Sequence, residues 1–331
     1  MTGGRPVALA LRSLGIGDLL TAVPALRGLR RALPGHRLVL SAPAALLPLV
    51  RLGALADELH DSRGLDGWSW DRPAPAVAVN LHGRGPRSHR ALRTAGSGRL
   101  VAFASAGAGH QGPAWEADEH EVARWCRLVD ATWGPVCDPA DLDLEVPAAT
   151  VPAGAVVVHP GAGSASRRWP LRRFAAVARA LAAGGHRVVV TGSPAERELG
   201  LRLAAAAGLD DAAVLAGRTD LLQLAAVVAG ARLVVGGDTG VTHLATAYRR
   251  PSVALFGPVG PALWGPPPGR PQHLVLWRGD GRGDPHGERL DPALASIGVE
   301  EVLRACQRQL DRGEASSSRR PSRTIATLGG W

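Results

Sequence analysis

The hydrophobic pattern predicts short apolar strands that alternate with amphipathic helices. Residues 6–12 predict a strand, followed by a turn and by leucines and valines at helical spacing. Pro24 is expected to kink or restart that helix. Residues 36–40 and 77–81 predict two further strands, and 61–76, rich in Gly, Pro and Trp, is expected to be a loop. The chain is therefore predicted to open with a βαβ unit.

The alternation is clearer in the second half. Residues 155–159 predict a strand, and 170–183 predict a helix with proline at its first position and glycines at its end. The series continues through residues 187–191, 194–207, 212–215, 221–229, 232–235, 240–248 and 252–256. Strands alternating with helices predict a parallel sheet covered on both faces. Two such units favour a two-domain α/β protein with a cleft between them.

The stretch 135–152 mixes prolines with acidic residues and is predicted to be a linker. We therefore expect one Rossmann-like domain at 1–150 and a second at 151–312. From Gly313 onward no periodicity is visible, and 313–331 is predicted to be a disordered tail.

Composition excludes several classes of protein. The 331 residues include 38 basic and 29 acidic side chains, and none of the basic ones is lysine. Walker-A phosphate loops, pyridoxal-phosphate enzymes and lysine-dependent aldolases are thereby excluded. The three cysteines predict neither a disulfide framework nor a zinc site. With no bilayer-length apolar run and no secretory signal, a cytoplasmic protein is expected.

The run Gly236–His243 joins the end of a predicted strand to the start of a helix, where open parallel sheets bind ligands. Free N–H groups and the helix dipole favour an anion at that point, so a diphosphate would fit. His243 lies four residues after Thr239 and shares its helix face. An ordinary helix cap followed by a core-edge histidine explains the same residues, and both interpretations stay open.

The run His159–Pro170 also leaves a strand and enters a helix. Ser166 stands at the third glycine position of a dinucleotide fingerprint, and the next strand ends in Thr191-Gly192 instead of an acid, which disfavours nicotinamide binding. A loop of small residues followed by Arg167 and Arg168 suits phosphates better. A solvated arginine pair is the alternative.

Asp18 closes a glycine turn at a predicted helix N-terminus. Helix capping is a sufficient explanation for it, and the functional interpretation is a general base that faces the cleft. Asp141-Leu142-Asp143 resembles a metal-binding DxD motif but falls in the predicted linker, so we discount it. Residues 82–99 hold several Arg and His with no acid. An anionic acceptor or nucleic acid would suit this stretch, although a solvated basic face is the default.

In these segments the sequence resembles the family 9 glycosyltransferases, which include the ADP-heptose:lipopolysaccharide heptosyltransferases. The resemblance rests on seven motifs in the family's order: LGIGDLLTAVPAL (14–26), NLHGRGPRSH (80–89), HPGAGSASRRWP (159–170), VVVTGSPAE (188–196), AGRTDLLQLAAVV (216–228), GGDTGVTHLA (236–245) and SVALFGPVGPALWGP (252–266). It implies the GT-B architecture, two Rossmann-like domains with parallel sheets facing across a cleft. It also implies a metal-independent reaction that inverts the anomeric centre.

The resemblance assigns roles to residues of this chain. It makes Asp18 the catalytic base, and it gives the donor's diphosphate and sugar to Arg167, Asp238, Thr239, Gly240 and His243. Family members commonly have lysine where this chain has Arg167. The nucleotide pocket is expected to include Ser164, Thr191, Gly192, Arg218 and Thr219, and the acceptor side His82, Arg84 and Arg87.

The implied function is transfer of a heptose or related sugar from an ADP-linked donor to a hydroxyl of a cell-envelope glycan or lipopolysaccharide-core-like acceptor. No cofactor and no metal are expected. The expected partners are the nucleotide sugar, a glycan or glycolipid acceptor and the inner face of the plasma membrane, but no nucleic acid, for a monomeric protein. A GT-B-type nucleotide-sugar epimerase is one alternative, and a basic nucleic-acid-binding protein is a distant second.

Overall fold

The computed structural model describes residues 4–149, 151, 153–281 and 283–318. Two parallel five-stranded sheets organise this part of the chain, as the alternation predicts. The first contains β1 (Val7–Leu11), β2 (Arg37–Ala42), β3 (Glu58–Asp61), β4 (Val77–Asn80) and β5 (Leu100–Val101), in the order β3-β2-β1-β4-β5. The second contains β6 (Val156–His159), β7 (Val188–Val190), β8 (Leu233–Gly237), β9 (Ser252–Leu255) and β10 (His273–Leu276), in the order β10-β9-β8-β6-β7.

Helices connect the strands of both sheets. They are α1 (Ile16–Thr21), α2 (Val23–Ala32), α3 (Leu47–Leu52), α4 (Arg87–Thr94), α5 (Glu121–Trp133), α6 (Leu171–Ala183), α7 (Arg197–Ala207), α8 (Leu221–Ala229), α9 (Gly240–Ala247), α10 (Pro261–Trp264), α11 (Pro292–Ser296) and α12 (Val299–Ser318). Pro24 is the second residue of α2, so the predicted restart of the first helix is confirmed. No helix in the described ranges is long and apolar enough to cross a membrane.

The strand order places a switch point at the centre of each sheet. In the first sheet β1 lies between β2 and β4, so the chain leaves β1 and β4 in opposite directions across the sheet. In the second sheet β6 lies between β7 and β8 in the same way. A crevice opens beyond the carboxyl ends of the strands at such a point. Four of the segments that the sequence singles out, 14–26, 80–89, 159–170 and 236–245, follow these central strands.

The two halves share a hydrophobic core. One buried cluster contains Leu19 and Leu26 from the first half together with Val241 and Leu244 from the second. Helix α1 packs against α9, which brings the segment after β1 against the segment after β8. The described residues between α5 and β6 form neither helix nor strand. The domain boundary at residue 150 stays a prediction.

Two local expectations differ from the structure. Residues 212–215 form a 3-10 turn with a single parallel bridge from Val214 to Val190, because Asp210 caps the turn through the Ala212 N–H. Helix α12 continues to Ser318, past the point where the sequence predicts a disordered tail. The remainder of that predicted tail, 319–331, lies outside the described residues.

Candidate active site

Asp18 occupies the third position of α1, just beyond the carboxyl end of β1. Its Oδ2 accepts a hydrogen bond from the Gly15 N–H at 3.2 Å, so the carboxylate does cap the helix. The side chain is nevertheless 28% exposed. Capping uses Oδ2, whereas Oδ1 has only a long contact of 3.4 Å to Arg12 Nη2, so the structural and catalytic interpretations of Asp18 are compatible.

Two glycines allow α1 and α9 to meet at their N-termini. A Cβ atom on Gly240 would lie 2.8 Å from the Cβ of Ile16, closer than carbon atoms pack. A Cβ on Gly17 would lie 3.0 Å from the His243 ring. The structure thus brings the segment that carries Asp18 against the helix that carries His243.

Arg167, Asp238 and His243 form a cluster of polar side chains in the second unit. Arg167 Nη1 lies 3.6 Å from Asp238 Oδ2, and His243 Nε2 lies 3.6 Å from Asp238 Oδ1. Asp238 is buried between them. Three of the five residues predicted to hold the donor's diphosphate and sugar are therefore in one cluster. Arg167 belongs to it although 71 positions separate it from Asp238 in the sequence.

Two polar atoms at this cluster are buried and unpartnered among the residues that the structure describes, Arg167 Nε and Thr239 Oγ1. Thr239 therefore does not cap α9 through its hydroxyl; instead, its own N–H donates to Thr242 Oγ1 at 3.3 Å. Buried polar groups normally have hydrogen-bond partners. A guanidinium donor and a hydroxyl beside a helix N-terminus together make a suitable environment for an anion.

The residues predicted for the nucleotide pocket begin at the carboxyl ends of β6 and β7. Thr191 Oγ1 is 3.1 Å from the Nδ1 of His159, and burial lowers the pKa of that histidine, which favours a neutral ring. Gly192 and Gly161 both lie against Glu196, whose Oε1 is 2.0 Å from the position of a Cβ on Gly161. A carboxylate is thus present beyond the end of β7.

The sequence does not predict Glu196, because a dinucleotide fingerprint has its acid directly at the strand end, where this chain has Thr191-Gly192. It follows β7 by six positions and reaches back through a capping box, in which its Oε2 accepts from the Ser193 N–H and hydroxyl. The Ser-Pro-Ala-Glu spacing of a capping box is the sequence signal that could have identified Glu196. Such a carboxylate can accept hydrogen bonds from vicinal hydroxyls of a bound sugar.

Of the other residues predicted for the nucleotide pocket, one is engaged in a hydrogen bond within the protein and one has an exposed side chain. Ser164 donates to the carbonyl of Pro285 at 2.7 Å, so its hydroxyl is engaged within the protein. Arg218 and Thr219 lie in a turn beside Gly192, to whose carbonyl the Gly217 N–H donates at 3.1 Å; the Arg218 side chain is exposed.

On the acceptor side, His82 lies just after β4, the neighbour of β1. Burial, followed by the charges of Arg12 and Arg87, lowers the pKa of His82 to about 4, so the ring is neutral at neutral pH. Its Nδ1 is a buried atom with no partner in the described ranges. Arg84 and Arg87 are exposed, and Arg87 pairs with Asp66. The structure thus places His82 near the switch point and the two arginines farther out on the surface.

The linker aspartates are held by arginines. Asp141 pairs with Arg27 and Arg31 of α2, whereas Asp143 pairs with Arg249 and Arg270 of the second unit. The two side chains therefore bind opposite halves of the molecule. No group of three or more His, Cys, Asp or Glu side chains that could hold a metal ion is found among the residues that the structure covers.

Comparison with known proteins agrees with this arrangement. Lipopolysaccharide heptosyltransferase 2 of Escherichia coli (strain K12) is 37% identical over 99 residues, which is 29% of this chain and 28% of that protein's own length. The structure of E. coli ADP-heptose lps heptosyltransferase II superimposes with a TM-score of 0.74 at 21% identity, covering 93% of this chain and 99% of that one. E. coli heptosyltransferase WaaC with ADP gives 0.68 at 20%, covering 92% and 99%.

These likenesses confirm the predicted fold, the GT-B arrangement of two parallel-sheet α/β domains. The family model described as "Glycosyltransferase family 9 (heptosyltransferase)" matches residues 111–281, more than half of the 331 positions. It includes the charged cluster and the α9 N-terminus, whereas Asp18 lies before the matched range. On that match the chain belongs to glycosyltransferase family 9.

Proposed function

We propose that this protein transfers a heptose or related sugar from an ADP-linked donor to a hydroxyl of a lipopolysaccharide-core-type acceptor. The observation that carries the proposal is the meeting of α1 and α9, which brings the segment that carries Asp18 against the N-terminus of α9. At that N-terminus Arg167 Nε and Thr239 Oγ1 are buried without a partner in the described part of the chain. The names of the relatives, lipopolysaccharide heptosyltransferases, support the sugar and the acceptor class. ADP in a protein of similar fold supports the nucleotide.

The proposed reaction is a single displacement. The acceptor hydroxyl attacks the anomeric carbon and gives its proton to Asp18, while the bond from that carbon to the diphosphate oxygen breaks and the nucleoside diphosphate leaves. One new glycosidic bond replaces one phosphoester bond to the sugar, and attack opposite the leaving group inverts the anomeric centre. Arg167, the Thr239 hydroxyl and the N-terminus of α9 stabilise the charge that develops on the diphosphate.

This mechanism takes its positive charge from the protein. Arg167 lies beside Asp238, and its Nε has no partner among the residues described, so it can contact the diphosphate without losing a hydrogen bond. We propose accordingly that neither a metal ion nor another cofactor is needed. A monomer that works at the cytoplasmic face of the membrane fits such a donor and such an acceptor, and both features stay predictions.

The first experiment is a thermal-shift panel of ADP-, GDP-, UDP- and dTDP-sugars on the purified protein. Stabilisation by the ADP-sugar alone is expected, followed by sugar transfer to O-deacylated lipopolysaccharide from heptose-deficient cells. Conversion of the donor sugar without acceptor would instead indicate an epimerase. Salt-sensitive nucleic-acid binding that is unaffected by nucleotide sugars would support the nucleic-acid alternative and refute the proposal.

Adjacent arginines supply a matched pair of variants. Arg167→Gln is expected to weaken ADP binding by roughly 10- to 100-fold, the loss of one charge-assisted interaction. Arg168→Gln removes the same charge from an exposed side chain that donates to the carbonyl of Ala162, and ADP affinity is expected to be unchanged. Equal losses in both variants would contradict the assignment of Arg167 to the diphosphate.

A further inference from the structure

Arg12 is a buried cation that the proposed mechanism does not use. It follows β1 directly, and its side chain is only 1% exposed. Taking a guanidinium out of water is costly unless its donors are paired in good geometry. The hydrogen-bond partners of Arg12 therefore indicate which parts of the structure its guanidinium stabilises.

The partners of Arg12 come from three different elements. Its Nε donates to the Asp18 carbonyl of α1 at 2.9 Å, and its Nη1 donates to the Leu81 carbonyl after β4 at 2.6 Å. Its Nη2 lies 2.9 Å from Glu121 Oε1 at the start of α5. The guanidinium also packs over the Trp125 ring, 4.8 Å from its centroid. One planar side chain thus fixes α1 relative to the switch point of the first sheet.

The same guanidinium reaches the Asp18 side chain. Nη2 lies 3.4 Å from Asp18 Oδ1, while the Gly15 N–H holds Oδ2 at 3.2 Å. Charge-assisted N–H···O bonds normally measure 2.7 to 2.9 Å, so the contact to Oδ1 is long. The carboxylate is consequently oriented from both sides, but Oδ1 is not saturated.

Glu121 explains why that contact is long. Its Oε1 accepts from Arg12 and from the Trp125 indole N–H at 2.8 Å, and its Oε2 pairs with Arg124. Glu121 thereby draws the Arg12 guanidinium toward α5. In the absence of Glu121, Asp18 would be the remaining carboxylate within reach of Arg12 in the described structure, and a close pair between them would occupy Oδ1.

We propose that Arg12, balanced by Glu121, is the positioning residue for Asp18. It anchors the first turn of α1 and orients the carboxylate, and Glu121 keeps the ion pair loose enough for Oδ1 to receive the proton of the acceptor hydroxyl. This inference rests on the proposed function, because it assigns Asp18 as the base. Lysine cannot replace Arg12 fully, since its single ammonium group cannot span the Asp18 carbonyl, the Leu81 carbonyl and Glu121 together.

The test compares Arg12→Lys with Arg124→Lys. Arg124 is a matched control, because it is also buried, binds the same Glu121 and stacks on Trp115, yet within the described structure it forms no ion pair or hydrogen bond with Asp18. Both variants are expected to lower the melting temperature. Only Arg12→Lys is expected to lower kcat of sugar transfer, by roughly 10- to 100-fold with the donor KM unchanged, as for a reacting group displaced by a fraction of an ångström.

Two further variants complete the test. Glu121→Gln is expected to reduce kcat as Arg12→Lys does, and it is nearly isosteric, so it serves if Arg12→Lys does not fold. In an Asp18→Asn background, Arg12→Lys is expected to reduce kcat no further, because residues that act as a unit are not additive. A full additional loss in that background, or equal kcat losses for Arg12→Lys and Arg124→Lys, overturns the positioning role. If the wild type transfers sugar and Arg12→Lys has the same kcat, the positioning role of Arg12 is wrong but the proposed function stands. If the wild type transfers no sugar, the proposed function is wrong as well.

Discussion

The contact between α1 and α9 can be tested by a single methyl group. In Gly240→Ala the new Cβ would lie 2.8 Å from Ile16 Cβ and 3.1 Å from Ile16 Cγ2. Unstrained carbon contacts are about 3.5 to 4.0 Å, so the two helices must separate by roughly 1 Å. Overpacking of this kind costs about 1 to 3 kcal/mol, of which the better helix propensity of alanine returns at most about 1 kcal/mol.

The effect on catalysis is expected to exceed the effect on stability. A displacement of about 1 Å between reacting groups can cost roughly 100-fold in rate, and the separation would move Asp18 away from the donor helix. The assay is kcat of sugar transfer at saturating donor, together with the free energy of unfolding in urea. Gly35→Ala is the control, because nothing lies within 4 Å of its new Cβ and its φ is not positive.

A second-site variant sharpens the result. Ile16→Gly removes both atoms that the new Cβ meets, so the double variant Ile16→Gly/Gly240→Ala is expected to recover part of the lost rate despite a weaker α1. If Gly240→Ala transfers sugar as fast as the wild type does, or if Gly35→Ala is equally impaired, the close approach of the helices does not position the base.

Three further predictions follow from the structure. Asp18→Asn should lower kcat by roughly 100- to 10,000-fold and leave ADP affinity unchanged, because the amide keeps the side chain's size but cannot accept the proton. Asp143→Asn should lower the free energy of unfolding in urea by about 1 kcal/mol or less, since its arginine pairs are partly exposed. Because Asp143 is paired with arginines, EDTA should not change the transfer rate of the wild type. His273→Gln should flatten the acid dependence of stability, because burial, followed by the charge of Arg270, lowers the pKa of His273 to about 4.

The sign of the His273 effect follows from proton binding. Below its ordinary pKa of 6.5 the unfolded chain protonates this ring and the folded chain does not, so stability is lost as pH falls from about 6.5 toward 4. The loss between pH 6.5 and 5 is roughly 1.5 kcal/mol, which the variant should not show. An identical pH profile for both proteins would refute this reading. A parallel loss of ADP affinity in Asp18→Asn would contradict the role of Asp18 as a base. A wild-type transfer rate that EDTA abolishes would contradict the interpretation of Asp141 and Asp143 as arginine partners instead of metal ligands.

Local pattern was enough to predict much of the fold. Apolar runs such as VVVH in β6 and the glycines after helices mark where elements begin and end, and Leu221–Ala229 has the predicted bounds. It failed where the signal was weak or misleading. The four-residue strand β3 lacks an apolar run, and α5 begins at Glu121 directly after the polar residues Glu119 and His120, so neither was predicted.

The candidate site was only partly predictable for a related reason. The residues that follow the central strands could be found, because ligands bind at those strand ends whatever the side chains are. Arg12 and Glu121 could not be paired from sequence, since 109 positions separate them. Asp141 and Asp143 show the opposite problem: a local motif typical of metal binding proves to be paired with arginines from distant elements.

The sequence by itself determined the alternation of strands and helices, the glycine turns and the family to which the chain belongs, because periodicity and turn chemistry act within a few residues. The tertiary structure decided which of those turns meet. Sheet order sets α1 against α9 and draws the guanidinium that follows β1 toward α5, and such long-range neighbours depend on how whole elements pack, which no local pattern records.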